Sequence, residues 1–285
     1  MEKIGIIGGS GLYKIEGIKI KDERKINTPF GDPSDEYIIG ELSGKEVIFL
    51  PRHGHGHRIS PSAINYRANI YGMKKLGVGT IISISACGSL REELKPLDFV
   101  LPLQFVDRTN QARKYTFFDE GIVTHIGFAK PVCSRLAKII HKAAVDNGLT
   151  AHLGGTYLNM EGPQFSTLAE SNLYRSWGLD IIGMTNMSEA RLSREAEICY
   201  VTLAAVTDYD CWHETAESVT VDVIIENLRK NVENSKKILK DAISHIDASA
   251  DCGCKNSLKH AILTDRRSIS ATTKKKLDII IGKYM

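Results

Sequence analysis

The run Val201-Thr-Leu-Ala-Ala-Val206 leads directly through Thr207 into two carboxylates, Asp208 and Asp210. An unbroken apolar run rich in Val, Leu and Ala has no solvent face, so it reads as a strand covered on both sides, as in a parallel sheet flanked by helices. Ligands in open α/β sheets collect at the carboxyl ends of such strands. Asp208 and Asp210 are therefore expected at a pocket. Asp180-Ile-Ile-Gly-Met184-Thr185 has the same form, an apolar piece followed by polar residues, and places Thr185 at a second strand end.

Further strand ends repeat the pattern. Lys3-Ile-Gly-Ile-Ile runs into Gly8-Gly9-Ser10-Gly11, a turn whose backbone N–H groups can approach an anion closely. The dinucleotide fingerprint fails, because the position due a third glycine is Lys14 and no helical pattern follows. A phosphate-sized anion is the better candidate, with Ser10 supplying a hydroxyl. Gly44–Pro51 is a short strand that delivers Arg52-His53-Gly-His55-Gly-His57-Arg58. Alternating histidines can hold a metal, but the two arginines and the lack of a nearby carboxylate favour an anion, with Arg52 and His53 as its ligands. Thr80–Ser85 is a buried strand ending in Ala86-Cys87-Gly88-Ser89, again a source of hydroxyl and N–H donors. Phe165 and Ser166, in Met160-Glu-Gly-Pro-Gln-Phe-Ser166, lie at a turn before a helix; a ring there can stack on a flat ligand or fill the core equally well.

Helices are expected from Pro61 to Leu76, from Ser134 to Gly148, after Ser166 or Thr167, from Ser188 to Glu197, and most strongly from Thr220 to Lys240, where Val221, Ile224, Ile225, Leu228 and Val232 share a face. Residues 1–245 read as one catalytic domain, and 246–285 as a helical extension of it. The net charge of +3 over 285 residues offers no concentrated basic face for nucleic acid. No apolar run is long enough to span a membrane and Met1-Glu-Lys enters a strand, not a signal peptide, so a cytoplasmic protein is expected. Cys87, Cys133, Cys199 and Cys211 are scattered in apolar or strand-end contexts and read as buried thiols. Cys252-Gly-Cys254 reads as free thiols or a disulfide; as a metal site it lacks a second ligand pair in sequence. No bound metal or cofactor is expected.

Anion donors at four strand ends face paired carboxylates at a fifth, which describes a site for two partners. The donors grip a phosphate. A carboxylate accepts from an exocyclic amine and, when protonated, donates to a ring nitrogen, so the acidic side reads a purine-like base.

With these motifs in order, Ile4–Gly11, Thr28-Pro-Phe-Gly-Asp-Pro, Arg52-His53-Gly, Asn65-Tyr-Arg-Ala-Asn, Ala86-Cys-Gly-Ser-Leu-Arg, Met160-Glu-Gly-Pro-Gln-Phe-Ser and Thr207-Asp-Tyr-Asp-Cys-Trp, the chain resembles the methylthioadenosine-cleaving branch of the trimeric purine nucleoside phosphorylases over essentially its whole length. The resemblance implies an α/β fold, a single domain with a twisted mixed sheet surrounded by helices, and a homotrimer or dimer of trimers. It implies reversible phosphorolysis of S-methyl-5′-thioadenosine to adenine and 5-methylthioribose 1-phosphate, a step of methionine and polyamine salvage, with inorganic phosphate as co-substrate. Carried over by position, phosphate falls to Ser10, Arg52, His53, Ser85, Ala86 and Thr185. Met184 lies against the ribose, Phe165 near the base, and Asp208 and Asp210 at the 6-amino group and N7, with Ile182 and Tyr209 also around the substrate. Ser166, Val221 and Ile224 tune substrate choice, the last two as an apolar pocket for the methylthio group, and His125 comes from a neighbouring subunit. Asn186-Met-Ser-Glu189 departs from the family's usual proline before the glutamate. The alternatives are a phosphorylase preferring 6-oxopurines, which the aspartate pair disfavours, and a nucleoside-binding protein without catalysis.

Overall fold

The computed structural model describes residues 2–9, 11, 12, 14–110, 113–213, 221–247 and 250–285, with the backbone alone at 221–224. Among these, eleven strands form one mixed sheet. Its centre is a parallel set: β1 (Lys3–Gly8), β4 (Lys45–Pro51), β5 (Val78–Ser89) and β11 (Cys199–Asp208). Each is an apolar run in the sequence and each is buried nearly throughout, because both faces are covered. Ile4, Ile6, Ile82, Val201 and Leu203 pack on one side with α2 (Ser134–Asp146) and α5 (Val221–His245). Ile7, Ile81 and Tyr200 pack on the other with α1 (Tyr66–Lys75), α4 (Asn186–Glu195) and α6 (Ala271–Ile281).

The flanks carry β2 (Lys19–Arg24), β3 (Tyr37–Leu42), β6 (Phe99–Leu101), β7 (Gln104–Arg108), β8 (Ala151–Leu153), β9 (Thr156–Met160) and β10 (Ile181–Gly183). β2 reads Lys-Ile-Lys-Asp-Glu-Arg and is exposed at every position. It closes the edge of the sheet, where charge blunts further pairing. No helix among the described residues is long and apolar enough to cross a membrane.

Several boundaries shift from their sequence expectations. The helix expected from Pro61 is a short 3-10 turn over Pro61–Ala63; α1 starts only at Tyr66, where the Asn65 side chain accepts from the Ala68 N–H at 3.1 Å. α3 (Leu168–Ser176) opens on a capping box in which Thr167 and Glu170 satisfy each other's backbone N–H groups. α4 begins two residues earlier than expected, at Asn186 with Thr185 as its cap residue, and α5 continues to His245. The C-terminal residues pack tightly: Leu258, Ala261, Ile269, Leu277, Ile280 and Ile281 are buried in the same cluster as Ile7 and Ile81.

The register around β5 makes the site. β11 follows one flank of β5 from Thr80 to Gly88. On the other flank β1 pairs only as far as Ser83, and the antiparallel β10 pairs only with Gly88 and Ser89. Among the described residues no strand covers 84–87 on that side. Ala86 is the one exposed position in β5. A stretch of backbone donors therefore stays open in the middle of the sheet, bounded by the ends of β1, β4 and β10.

Candidate active site

Every described strand-end residue expected at the anion site lies around this gap. Arg52 follows β4 directly, and its backbone N–H donates to Gly8 O at 2.9 Å, tying the ends of β4 and β1 together. The side chain is 3% exposed. Its Nη1 donates to Ile84 O at 3.0 Å and its Nη2 to Ser83 Oγ at 2.6 Å, while Nε pairs with Glu189. Burial opposes the guanidinium charge, and Glu189 more than restores it, holding the pKa above its ordinary value. A second Nη2 bond, to Glu189 Oε2 at 3.3 Å, leaves one of the five guanidinium donors, an Nη1 N–H, beside the Ile84 carbonyl at the edge of the gap.

Glu189 was not among the expected site residues. It is 1% exposed in α4 and accepts from Arg52, from Ser83 Oγ at 2.6 Å and from Tyr200 OH at 3.1 Å. A buried arginine at a strand end needs a counter-charge, and this was the available signal. Asn186 joins the same network, taking Ser85 Oγ at 2.7 Å and donating to Ser83 Oγ at 2.9 Å and Tyr200 OH at 3.0 Å. Asn186 and Glu189 stand on either side of Ser188, the residue found where the family's usual pattern has a proline before the glutamate. Here both bond to Ser83 in β5, Glu189 also to Arg52 and Asn186 also to Ser85, beneath the gap.

Ser85, within β5, and Thr185, two residues past β10, are both buried, and β10 runs antiparallel to β5 so that the chain after it heads back along β5. Thr185 also opens α4, a helix of ten residues whose first N–H groups favour negative charge. His53 Nδ1 faces Ile59 O at 2.8 Å. A carbonyl only accepts, so Nδ1 carries the proton and Nε2 presents a lone pair. Burial first, then the Arg52 charge, push this imidazole down to about 4. His53 is therefore neutral near pH 7 and suits the hydroxyl of a protonated phosphate. Because the folded pKa lies below the ordinary 6.5, the folded state binds fewer protons in that window. Its stability contribution is full above the ordinary pKa and is lost as pH falls towards the depressed one. His53→Gln is expected to flatten the fall of Tm between neutral and mildly acidic pH; a slope equal to the parent's counts against a neutral His53.

On the opposite side, Asp210 sits just past β11 with a left-handed φ of 53°, a conformation that aspartate and asparagine tolerate better than most residues. Its N–H donates to Asp208 Oδ1 at 2.8 Å and its Oδ2 accepts from Ser171 Oγ at 2.5 Å. Burial raises its pKa; Ser171 pulls the other way and the Asp208 charge adds to the rise. Asp208 Oδ2 accepts from Thr207 Oγ1 at 2.6 Å. A Cβ at Gly88 would come within 3.1 Å of Asp208 Oδ1, so a glycine there leaves room for the carboxylates. Asn227 of α5 donates to Thr207 O at 3.0 Å and Asn231 to Val206 O at 2.9 Å, placing the start of α5 over this strand end.

The rest of the expected set divides. Ile182 is buried in β10 next to Gly88, and the Met184 carbonyl accepts from Arg113 Nη1 at 2.6 Å. Arg113, itself ion-paired to Glu161, thus fixes the chain between β10 and α4; it too was not anticipated. Phe165 is 77% exposed, which excludes the core alternative and leaves its ring free for a ligand. Ser166 is buried and its carbonyl accepts from Cys211 Sγ at 3.3 Å. Tyr209 is turned to other partners, stacked on His213 with centroids 4.4 Å apart and bonded to Glu92 O at 3.3 Å. His125 is exposed, its backbone tied to Ala261 O at 2.9 Å. Ser10 and the side chains of Val221 and Ile224 lie outside the described residues.

Residues 3–244 match the model of the phosphorylase superfamily. A protein of Geobacter sulfurreducens named S-methyl-5′-thioadenosine phosphorylase is 56% identical over 282 residues, covering 99% of both chains. One of the same name from Thermosynechococcus vestitus is 54% identical over 99% of both. Among solved structures, a methylthioadenosine phosphorylase from an antarctic soil metagenomic library superposes with a TM-score of 0.94 at 48% identity, covering 98% of each chain. The Schistosoma mansoni methylthioadenosine phosphorylase in complex with tubercidin gives 0.83 at 37% identity over 91% of this chain and 96% of that one. The match to the superfamily model over residues 3–244, together with identity to these relatives over nearly the full chain, shows that the chain belongs to the phosphorylase superfamily and, within it, to the S-methyl-5′-thioadenosine phosphorylases.

Proposed function

We infer that this chain catalyses the phosphorolysis of S-methyl-5′-thioadenosine in the gap beside β5, and that Asp210 and the β5 backbone act on opposite sides of the bond that breaks. The observation that carries the reading is the uncovered segment 84–87 between anion donors and a raised-pKa carboxyl. Phosphate sits over Ser85 and Ala86, with Thr185, Ser10, His53 and the free Arg52 donor around it. Its oxygen attacks C1′ as the C1′–N9 bond gives its electron pair to the purine. The ribosyl carbon becomes cation-like and the base anionic, so a nearby phosphate and a proton for N7 stabilise the transition state more than the ground state. Asp210 supplies the N7 proton and Asp208 accepts from the 6-amino group. Met184 and Ile182 line the sugar and base, Phe165 covers the base, and Ser166 borders it. Tyr209 acts indirectly, steadying the segment after Asp210. Fixing both reactants in one gap is the other large contribution.

Val221 and Ile224 supply an apolar seat for the 5′-methylthio group; the tether of Asn227 to the end of β11 supports their place near Asp208. We also assign a homotrimer in which His125 reaches a neighbouring site. The exposed side chains of Leu168 and Leu173 on α3, of Trp177 at its C-terminal cap and of Val123 near His125 support an interface of this kind. No cofactor takes part in this scheme, and phosphate is a substrate.

The test is base release from methylthioadenosine, adenosine and inosine, each with and without inorganic phosphate. Methylthioadenosine is expected to lead and phosphate to be required. If inosine leads, the reading of the aspartate pair fails; if phosphate is irrelevant, the anion site is misassigned.

A further inference from the structure

Far from the strand ends that bind substrate, four cysteines that are distant in sequence meet. Cys133 precedes α2, Cys199 is the first residue of β11, and Cys252 and Cys254 lie on the turn that follows α5. Their sulfur atoms all lie within 4.8 Å of one another. Cys133, Cys199 and Cys254 are buried and Cys252 is half-buried. We propose that Cys133, Cys199, Cys252 and Cys254 bind one zinc ion, or a comparably soft divalent cation, as a closed structural site.

Four thiolates around zinc at about 2.3 Å form a tetrahedron whose sulfur atoms are about 3.8 Å apart, so a common spacing under 4.8 Å needs only small side-chain rotations. The shortest spacing, 2.9 Å, joins Cys199 to Cys252, one cysteine from the sheet and one from the turn. The four sulfurs thus lie close enough together to share a single ion.

The backbone holds the ligands in place. The Cys133 N–H donates to Tyr200 O at 2.8 Å, locking the first pair, and the Lys255 N–H donates to Cys252 O at 3.1 Å, closing the turn that presents the second. The glycine between Cys252 and Cys254 has open space on its Cβ side, so the turn can fold over an ion. Binding releases one proton from each thiol and leaves a complex of net negative charge. The N-terminal end of α2 and the cations of Arg135 and Arg194, which act on Cys133 and Cys254, offset it. With all four positions taken by protein, the ion has no open site for a reactant. It fastens residues 250–258 to the sheet. Asp208 lies at the other end of β11, so the ion acts on stability and not on turnover.

The full chain, purified from zinc-containing medium without chelator, is expected to carry about one zinc per chain by elemental analysis. Exchange with cobalt(II) is expected to give thiolate-to-metal charge transfer and the intense visible bands of a tetrahedral tetrathiolate. Stripping the metal should lower Tm by about 5 °C or more with kcat unchanged. Cys252→Ser/Cys254→Ser should lose the metal and the cobalt spectrum and become indifferent to chelator. Should that variant fold poorly, the parent protein's metal content and cobalt spectrum decide alone. A parent with no zinc and no tetrathiolate spectrum overturns the proposal, as does a non-reduced mass lower by two hydrogens for each linked cysteine pair.

Discussion

Asp210→Ala is expected to lower kcat by roughly 10²–10⁴-fold, the span of a lost general acid, with a much smaller change in the KM for phosphate. The reason is positional. Asp210 is held by Ser171 and by the turn through Asp208, whereas the groups proposed to bind phosphate are carried by other strand ends. Alanine also tolerates the left-handed φ of 53° less well than aspartate, so part of its effect is structural. Asp210→Asn removes that objection, since asparagine accepts the backbone angle and still donates a hydrogen bond to N7, but it cannot pass a proton. Asn at this position should therefore fall between the parent and alanine. Since burial and Asp208 raise the Asp210 pKa, the parent's kcat/KM should decline on the alkaline side as this carboxyl loses its proton, and the asparagine variant should lose that limb. Near-parent turnover in Asp210→Ala, measured as adenine release at saturating phosphate, removes Asp210 from the chemistry.

The sequence made the central strands legible because burial on both faces leaves unbroken apolar runs, as in Val201–Val206 and Ile4–Ile7. It hid β2 and β7, whose charged and mixed residues carry no period that separates an edge strand from a loop. Ser85, Thr185, Arg52 and Asp208 were readable as a group because each closes or follows an apolar run, although β5 continues past Ser85 to Ser89 instead of ending there. The gap that makes them a site was not readable. It depends on where β1 stops and β10 begins along β5, a matter of register between segments about a hundred residues apart. The cysteine cluster was hidden for the same reason: Cys133 and Cys199 supply the second pair that Cys252-Gly-Cys254 lacks in sequence, and only the packing of α2 against β11 brings them to it. Tyr209, which the resemblance puts around the substrate, bonds instead to Glu92 O and stacks on His213, contacts that join segments over a hundred residues apart or a turn of unpredicted shape.

The second large effect is expected at Glu189. Removing it in Glu189→Ala leaves the Arg52 guanidinium buried and short of its counter-charge, a loss of about 3–5 kcal/mol in stability. Phosphate use should also suffer, because Arg52 would turn towards the remaining acceptors and away from the gap. One variant cannot separate these effects. The pair Arg52→Met/Glu189→Leu can, since replacing both members of a buried ion pair with apolar residues of similar volume is often neutral for stability. If Arg52 donates to phosphate, the double variant should regain much of the lost Tm yet keep a KM for phosphate raised about 10–100-fold, the worth of one charged hydrogen bond. If Arg52 and Glu189 serve only to brace β4 against α4, the double variant should recover both stability and phosphate affinity. Thermal unfolding and initial rates at varied phosphate, read together on the single and double variants, distinguish a guanidinium that binds substrate from one that merely fills the space beneath it.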